Sequence, residues 1–129
     1  MSTYEVWNLH PESNHDVNIV EIIERSEGLR ILVQEYETDR FLTIFFDTHV
    51  AYQRRDESWV VGEFSALNSL GRGSFYIVKD SKFVSLFETG SLLPRKDVLH
   101  FSIVTDSLCV DVLSFENPRI EYVKKPTPN

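Results

Sequence analysis

Residues 98–115 read VLHFSIVTDSLCVDVLSF, two runs rich in β-branched and aromatic residues on either side of the polar pair Asp106-Ser107. This pattern is typical of a β-hairpin with a two-residue loop. A three-residue loop would pair Phe101 with Asp111 and mix the two faces, so the pattern favours the shorter loop. The predicted opposite pairs are Thr105 with Leu108, Val104 with Cys109, Ile103 with Val110, Ser102 with Asp111 and Phe101 with Val112.

In this register the two faces of the hairpin differ in chemistry, because successive side chains of a strand point to opposite sides. The apolar face carries Leu99, Phe101, Ile103, Leu108, Val110 and Val112. The other face carries His100, Ser102, Val104, Cys109, Asp111 and Leu113. We expect the first face to form part of the core and the second to be a half-exposed polar surface.

The polar face supplies the candidate catalytic residues, His100, Ser102 and Asp111. As an enzyme site, His100 would be a general base oriented by Asp111, with Ser102 or Cys109 as nucleophile. Residues i and i+2 of a strand stand roughly 7 Å apart, beyond hydrogen-bond reach for most rotamers of His100 and Ser102. The flanking sequence also lacks the Gly-x-Ser-x-Gly motif. We therefore expect Asp111 to be hydrogen-bonded by Ser102 or by a cross-strand neighbour, in a structural role.

Strand patterns continue through the rest of the chain. Extended segments are predicted at 4–9, 16–25, 29–34, 41–46 and 49–54, with polar turns between them, which gives a meander. The run at 41–46 is apolar on both faces and is expected at the centre of the sheet. Residues 75–78 form another predicted strand. Asp80 or Ser81 then caps a short helix through Phe87 that stops at Gly90.

These elements predict an α+β fold, a mainly antiparallel β-sheet made of the meander and the C-terminal hairpin, with one or two short helices packed on it. A second helix over 57–70 is one interpretation of an ambiguous segment. The chain has 129 residues, of which 42% are hydrophobic, enough for one core and too few for two. We expect a single domain over 1–123 and a flexible tail over 124–129.

Localisation is predicted from features that the sequence lacks. No apolar run approaches the roughly 18 residues of a membrane span, and the first residues do not resemble a secretory signal. Cys109 is the only cysteine, so the chain can form no internal disulfide and no thiolate-built zinc site. A cytoplasmic protein that does not bind membranes is the expectation.

The negative charge of the molecule is concentrated near its N-terminus. Residues 1–50 hold ten acidic and three basic residues, which accounts for the whole net charge of −7. This distribution argues against nucleic acid as a partner, because phosphate binding requires clustered basic residues. A basic protein is the expected partner and a solvated acidic face is the alternative. The candidate binding residues are Glu21, Glu24, Glu35, Glu37 and Asp39.

Metal-ligating residue types occur in two places. His10 and His15 lie close to Glu12 and Asp16, and Asp47 precedes His49 by two positions. Neither group has the spacing of a recognised metal site, so we expect solvated histidines and no metal or cofactor.

Three blocks of the sequence carry a resemblance. They cover residues 51–58, 75–81 and 100–105, the last followed by 109–114. The blocks resemble those of small bacterial proteins of unknown function, and the size and charge are similar to those of antitoxin or immunity proteins encoded beside secreted toxins. The resemblance implies an immunity-type inhibitor and transfers no catalytic residues.

Three functional hypotheses follow. The first is a binding protein that meets a basic toxin or enzyme through its acidic N-terminal part. The second is a small-molecule binder or enzyme with a cleft beside His100 and Asp111. The third is a homodimer in which an exposed strand such as 41–46 pairs with its copy.

Overall fold

A computed structural model describes residues 3–7, 17–35, 40–56, 75–90, 98–105 and 108–123. Within these ranges the chain forms nine β-strands and one α-helix. The strands are β1 (Thr3–Val6), β2 (Val17–Arg25), β3 (Gly28–Glu35), β4 (Phe41–Phe46), β5 (His49–Asp56), β6 (Phe75–Lys79), β7 (Leu99–Val104), β8 (Leu108–Ser114) and β9 (Arg119–Val123). The helix is α1 (Lys82–Gly90), between β6 and β7.

The strands form two antiparallel sheets. The five-stranded sheet has the order β1-β6-β7-β8-β5, and the four-stranded sheet has the order β2-β3-β4-β9. The chain passes from one sheet to the other at Asp47 and Thr48, between β4 and β5. Thr48 fixes this corner to the far end of β8, because its hydroxyl lies 3.2 Å from that of Ser114 and its carbonyl accepts the backbone N–H of Phe115.

The core lies between the two sheets and is built from alternate residues of their inner strands, together with Val17 of the edge strand β2. Phe46 of the four-stranded sheet and Phe101 of the five-stranded sheet meet with ring centroids 5.5 Å apart. Burial of this apolar surface is the main source of stability. The buried cluster comprises Val17, Leu29, Ile31, Val33, Leu42, Ile44, Phe46, Phe75, Phe101, Ile103, Val110 and Val112.

The hairpin register predicted from residues 98–115 is confirmed. Phe101 lies opposite Val112 and Ser102 opposite Asp111, with the neighbouring pairs in the same register. The backbone N–H of Thr105 donates to the carbonyl of Leu108, as a two-residue loop requires. The predicted helix is also confirmed, and Ser81 is its N-cap, since its hydroxyl accepts the backbone N–H of Val84.

The predicted meander is confirmed for β2, β3 and β4 only, because β5 joins the other sheet beside β8. The interior position of 41–46 is confirmed as well, since β4 pairs with β3 on one side and β9 on the other. Both of its edges are therefore occupied. The expectation that this strand pairs across a homodimer is wrong, because its backbone N–H and C=O groups already face β3 on one side and β9 on the other.

Two further expectations need correction. The molecule is mainly-β, with antiparallel sheets throughout and a single helix in the part of the chain that is described, so α+β overstates the helix content. The last strand, β9, was not predicted. The predicted helix at 57–70 and the predicted tail at 124–129 lie outside the described residues.

One glycine fixes the turn between β2 and β3. Gly28 has φ of 149°, in a region that side chains disfavour. A Cβ placed there would lie 2.5 Å from the carbonyl oxygen of Phe46 and 3.0 Å from the ring of Phe45. Glycine is required because β4 passes directly beside this turn.

Candidate functional site

The polar face of the β7–β8 hairpin is buried, which corrects the expectation of a half-exposed surface. His100 is 5% exposed, and Ser102 and Asp111 are fully buried. Phe83 of α1 covers His100, with the rings edge to face and their centroids 5.7 Å apart. Arg55 of the edge strand β5 reaches over Asp111 from the other side. The hairpin is thus enclosed on both faces.

The Asp111 carboxylate is the centre of this buried network. His100 Nε2 lies 2.7 Å from Oδ1, and Arg55 Nε donates to Oδ2 over 2.8 Å. Gln53, directly opposite on β5, donates to Oδ2 over 3.3 Å. The expectation that a cross-strand neighbour satisfies Asp111 is therefore confirmed. Ser102, the other expected partner, instead lies 3.2 Å from Cys109 Sγ.

These contacts keep Asp111 ionised. Burial alone would raise the pKa of its carboxyl group, but the hydrogen bond and charge of His100 and the charge of Arg55 outweigh burial and hold the pKa below its ordinary value of 3.8. A buried anion is therefore present, and it is stabilised by cationic and N–H groups on two neighbouring strands.

His100 links this anion to the start of the helix. Its Nδ1 lies 2.6 Å from Ser81 Oγ, on the opposite side of the ring from Asp111. When the ring carries a single proton on Nε2, His100 donates to the anionic Asp111, and Nδ1 then accepts a hydrogen bond from the Ser81 hydroxyl. Ser81 Oγ in turn accepts the N–H of Val84. The order of groups is Asp111, His100, Ser81.

The strand order explains how Ser81 reaches His100. β6 and β7 are neighbours, and Val78 lies opposite His100. Ser81 follows Val78 by three residues, so the chain must turn back at once to place it above the sheet. Asp80 makes that turn with a left-handed φ of 51°, a conformation that Asp adopts more readily than most residues.

A partly open cleft lies where β6, the start of α1 and β7 meet. Its volume is about 240 Å³, and both Ser81 and His100 line it. Its walls are mostly apolar, with Ile77, Val84, Val98 and Leu99 among them, and Lys79 and Asp80 also line it. A cleft with apolar walls and a few convergent polar groups is the usual form of a small-molecule site.

Of the catalytic candidates predicted from sequence, the structure brings His100 and Asp111 into direct contact, whereas the Ser102 hydroxyl lies against Cys109 Sγ. Cys109 is an unreactive thiol, because burial and the Asp111 carboxylate raise its pKa to about 12. Ser81 takes the place that sequence reasoning assigned to Ser102 or Cys109. Its role as helix cap was visible in the sequence, but its contact with His100 depends on the strand order.

Of the predicted binding acids that the structure describes, one is buried and two are half exposed. Glu35 is fully buried and forms an ion pair of 2.9 Å with Arg40, so it is not a surface residue. Glu21 is half exposed and pairs with Arg30 at 3.2 Å. Glu24 is also half exposed and lies 2.5 Å from His49 Nε2. Glu37 and Asp39 lie outside the described residues.

The candidate metal ligands that lie in the described part of the chain, Asp47 and His49, form contacts with other side chains. Asp47 forms a bidentate pair with Arg119, and His49 contacts Glu24. Among the residues that the structure describes, no group of three or more His, Cys, Asp or Glu side chains could hold a metal ion. His10, Glu12, His15 and Asp16 lie outside those residues.

Comparison with family models, with curated proteins and with solved structures finds no match for this chain. Within the described ranges, no helix has both the length and the apolar character needed to cross a membrane.

Proposed function

We propose that the protein binds a small molecule in the cleft between α1, β6 and β7. The observation that supports this proposal is the presence of Ser81 and His100 side by side in its lining, in contact with each other and held by Asp111. Their hydrogen bonds fix the orientation of both side chains before any ligand arrives, which lowers the entropic cost of binding.

The size of the cleft limits the ligand. Its volume of about 240 Å³ exceeds the roughly 150 Å³ cavity that holds benzene, and falls below the 300–1,000 Å³ of typical drug-sized pockets. The fitting ligand therefore has an apolar body somewhat larger than a benzene ring. One polar group on it would hydrogen-bond at the Ser81 and His100 end.

Titration with acetanilide, monitored by backbone amide NMR, tests this proposal. The compound combines an aromatic ring with one amide of suitable size. We expect shifts confined to β6, the first turns of α1 and the start of β7. Ser85→Trp should abolish them, because Ser85 is exposed and lines the cleft, while Leu86→Trp should leave them unchanged, because Leu86 is 74% exposed and does not line it. Shifts that survive Ser85→Trp, or none in wild type, would contradict the proposal.

A second candidate function is the immunity-type inhibition of a basic toxin or enzyme in the bacterial cytoplasm. Its support is the β2 edge of the four-stranded sheet, where Val20 is 46% exposed and Glu24 is half exposed, and the turn after β2, where Glu27 is exposed. A sheet edge that presents an apolar residue and carboxylates is a suitable contact for a basic protein surface.

Capture of a basic host protein at low salt tests this second candidate. The double variant Glu24→Lys with Glu27→Lys should lose the captured protein, and moderate salt should release it from wild type. The control variant is Glu116→Lys, which changes an exposed acid between β8 and β9. This variant should still capture the basic protein. Equal capture by all variants would argue against this surface.

A further inference from the structure

We propose that Ser81 is a nucleophile that hydrolyses small carboxylic esters, with His100 as general base and Asp111 as the group that orients it. The inference rests on the proposed function, because the ester would occupy the same cleft. The geometry behind it is the unbroken series Asp111 Oδ1 to His100 Nε2 at 2.7 Å and His100 Nδ1 to Ser81 Oγ at 2.6 Å.

The two distances fall within the range that a nucleophile, its base and an orienting acid require. The tautomer is also suitable. Because the Asp111 anion fixes the proton of His100 on Nε2, the lone pair of Nδ1 faces the Ser81 hydroxyl and can accept its proton. The use of Nδ1 rather than Nε2 as the base follows from the strand positions, since Asp111 approaches His100 from across the β7–β8 ladder.

Ser81 stands at the start of α1, where a helix directs backbone N–H groups toward its N-terminus. The N–H of Val84 donates to Ser81 Oγ and that of Ser85 to the Ser81 carbonyl, so the proposal assigns the stabilisation of an oxyanion to the Phe83 N–H. Such groups stabilise the negative charge that develops on a carbonyl oxygen when it is attacked. The turn from β6 through Asp80, with its left-handed φ, places Ser81 between these N–H groups and His100.

The reaction requires only water and the ester. Ser81 Oγ attacks the ester carbonyl while its proton moves to His100 Nδ1, and the resulting tetrahedral oxyanion collapses by expelling the alcohol, which takes the proton from His100. Water then attacks the acyl-serine with the same base, and the carboxylic acid leaves as Ser81 regains its proton. Asp111 stays ionised and stabilises the transient imidazolium.

Arg55 is an additional member of this network, beyond the nucleophile, the base and the orienting acid. Its Nε donates to Asp111 over 2.8 Å, so part of the negative charge that would stabilise the imidazolium is already compensated. This predicts a slow hydrolase. Replacing Arg55 with Met removes the competing cation while keeping an apolar stem, and should raise the turnover rate per folded molecule; an unchanged rate would contradict this role of Arg55.

Labelling with a fluorophosphonate tests the nucleophile directly. Wild-type protein should gain one phosphonyl group by intact mass, mapped by peptide analysis to Ser81. Ser81→Asp retains an N-cap oxygen and therefore the helix, but has no hydroxyl, and should remain unlabelled. Ser26→Ala, which removes an exposed serine from the β2–β3 turn, should label like wild type. Wild type that stays unlabelled, or label on another serine, would overturn the inference.

Phenyl acetate hydrolysis provides the kinetic readout. Ser81→Asp and His100→Gln should each lower kcat/KM by about 10²-fold or more, the usual range for loss of such groups. Acetanilide, the amide analogue, separates the two proposals. If it shifts the cleft amides while no variant changes hydrolysis, the binding site stands and the catalytic role is wrong. If it shifts nothing, the proposed function itself fails.

Discussion

On one face of the β7–β8 hairpin, Phe101 and Val112 pack into the core between the sheets. On the other, His100 and Asp111 lie in a network of hydrogen bonds and an ion pair. All four residues are at most 5% exposed, so the faces differ in chemistry and not in burial. A strand face can therefore be buried in two ways, by apolar packing or by hydrogen bonds and ion pairs to its polar side chains.

The two ways have different consequences. An apolar face is stabilised by the loss of contact with water, which depends little on the direction of each side chain. A buried carboxylate contributes only when its acceptors are satisfied, so every partner of Asp111 must hold a defined position. The polar face therefore holds Ser81 and the start of α1 in a defined position, and the proposed site depends on this feature.

The largest expected effect is on the apolar face. Phe101→Ala should lower the free energy of unfolding by about 3–5 kcal/mol, because it leaves a cavity where Phe46 and Trp7 now meet the ring. Urea denaturation measures this loss. Leu86→Ala removes a side chain that is large but 74% exposed, and should change stability by less than about 0.5 kcal/mol.

The next largest effect is on the polar face. Asp111→Asn removes the charge that Arg55 and His100 face, and should cost about 1.5–3 kcal/mol near neutral pH. Asp47→Asn, in the exposed pair with Arg119, should cost less than about 1 kcal/mol. A similar cost for both variants would mean that burial does not set the contribution of Asp111.

The same variant predicts a pH dependence. Because the pKa of Asp111 is lowered in the folded protein, its contribution to stability is present above its ordinary value of 3.8 and is lost as the pH falls toward the folded value. The stability difference between wild type and Asp111→Asn should therefore shrink below this pH. A difference that stays constant into acid would contradict the lowered pKa.

A smaller effect is expected at the helix cap. Ser81→Ala should cost about 1–2 kcal/mol, since it removes the N-cap bond to Val84 and the contact with His100. Ser81→Asp keeps a capping oxygen and should cost less. Thermal unfolding of the two variants compares them directly. Equal losses would show that the cap contributes little and the His100 contact most of the effect.

The smallest effect concerns Cys109. With its pKa raised from 9.0 to about 12, the Cys109 thiol stays protonated in the folded protein near neutral pH, so a disulfide reagent should label it only after unfolding. The contribution of Cys109 to stability should be constant below pH 9.0 and should decrease above it, since the unfolded thiol loses its proton first. Rapid labelling of the folded protein would contradict this.

Local patterns predicted the elements that depend on local chemistry. The alternation around Asp106-Ser107 gave the register of β7 and β8 because one face had to be apolar throughout. The same alternation is present in Arg119 to Val123, but the preceding Pro118 and the polar residues after it hid β9. The alternation of apolar and polar residues identified individual strands. It did not indicate the order of those strands in the sheets.

The candidate site depends on the strand order, which local sequence patterns do not reveal. Ser81 meets His100 only because β6 lies next to β7, and Arg55 reaches Asp111 only because β5 leaves the meander to pair with β8. Burial of the polar face has the same origin. Residues 102 and 111 were expected to be half exposed, and the covering groups come from segments distant in the chain.

The position of β9 has a consequence for synthesis. β4 ends at residue 46 and its second neighbour begins at residue 119, so a chain that emerges from the ribosome in order carries an apolar strand with one open edge for most of its translation. Such an edge is a template for association with another chain. Truncated products that end before Arg119 should therefore aggregate through Phe41–Phe46, whereas release of the last strand closes the ladder.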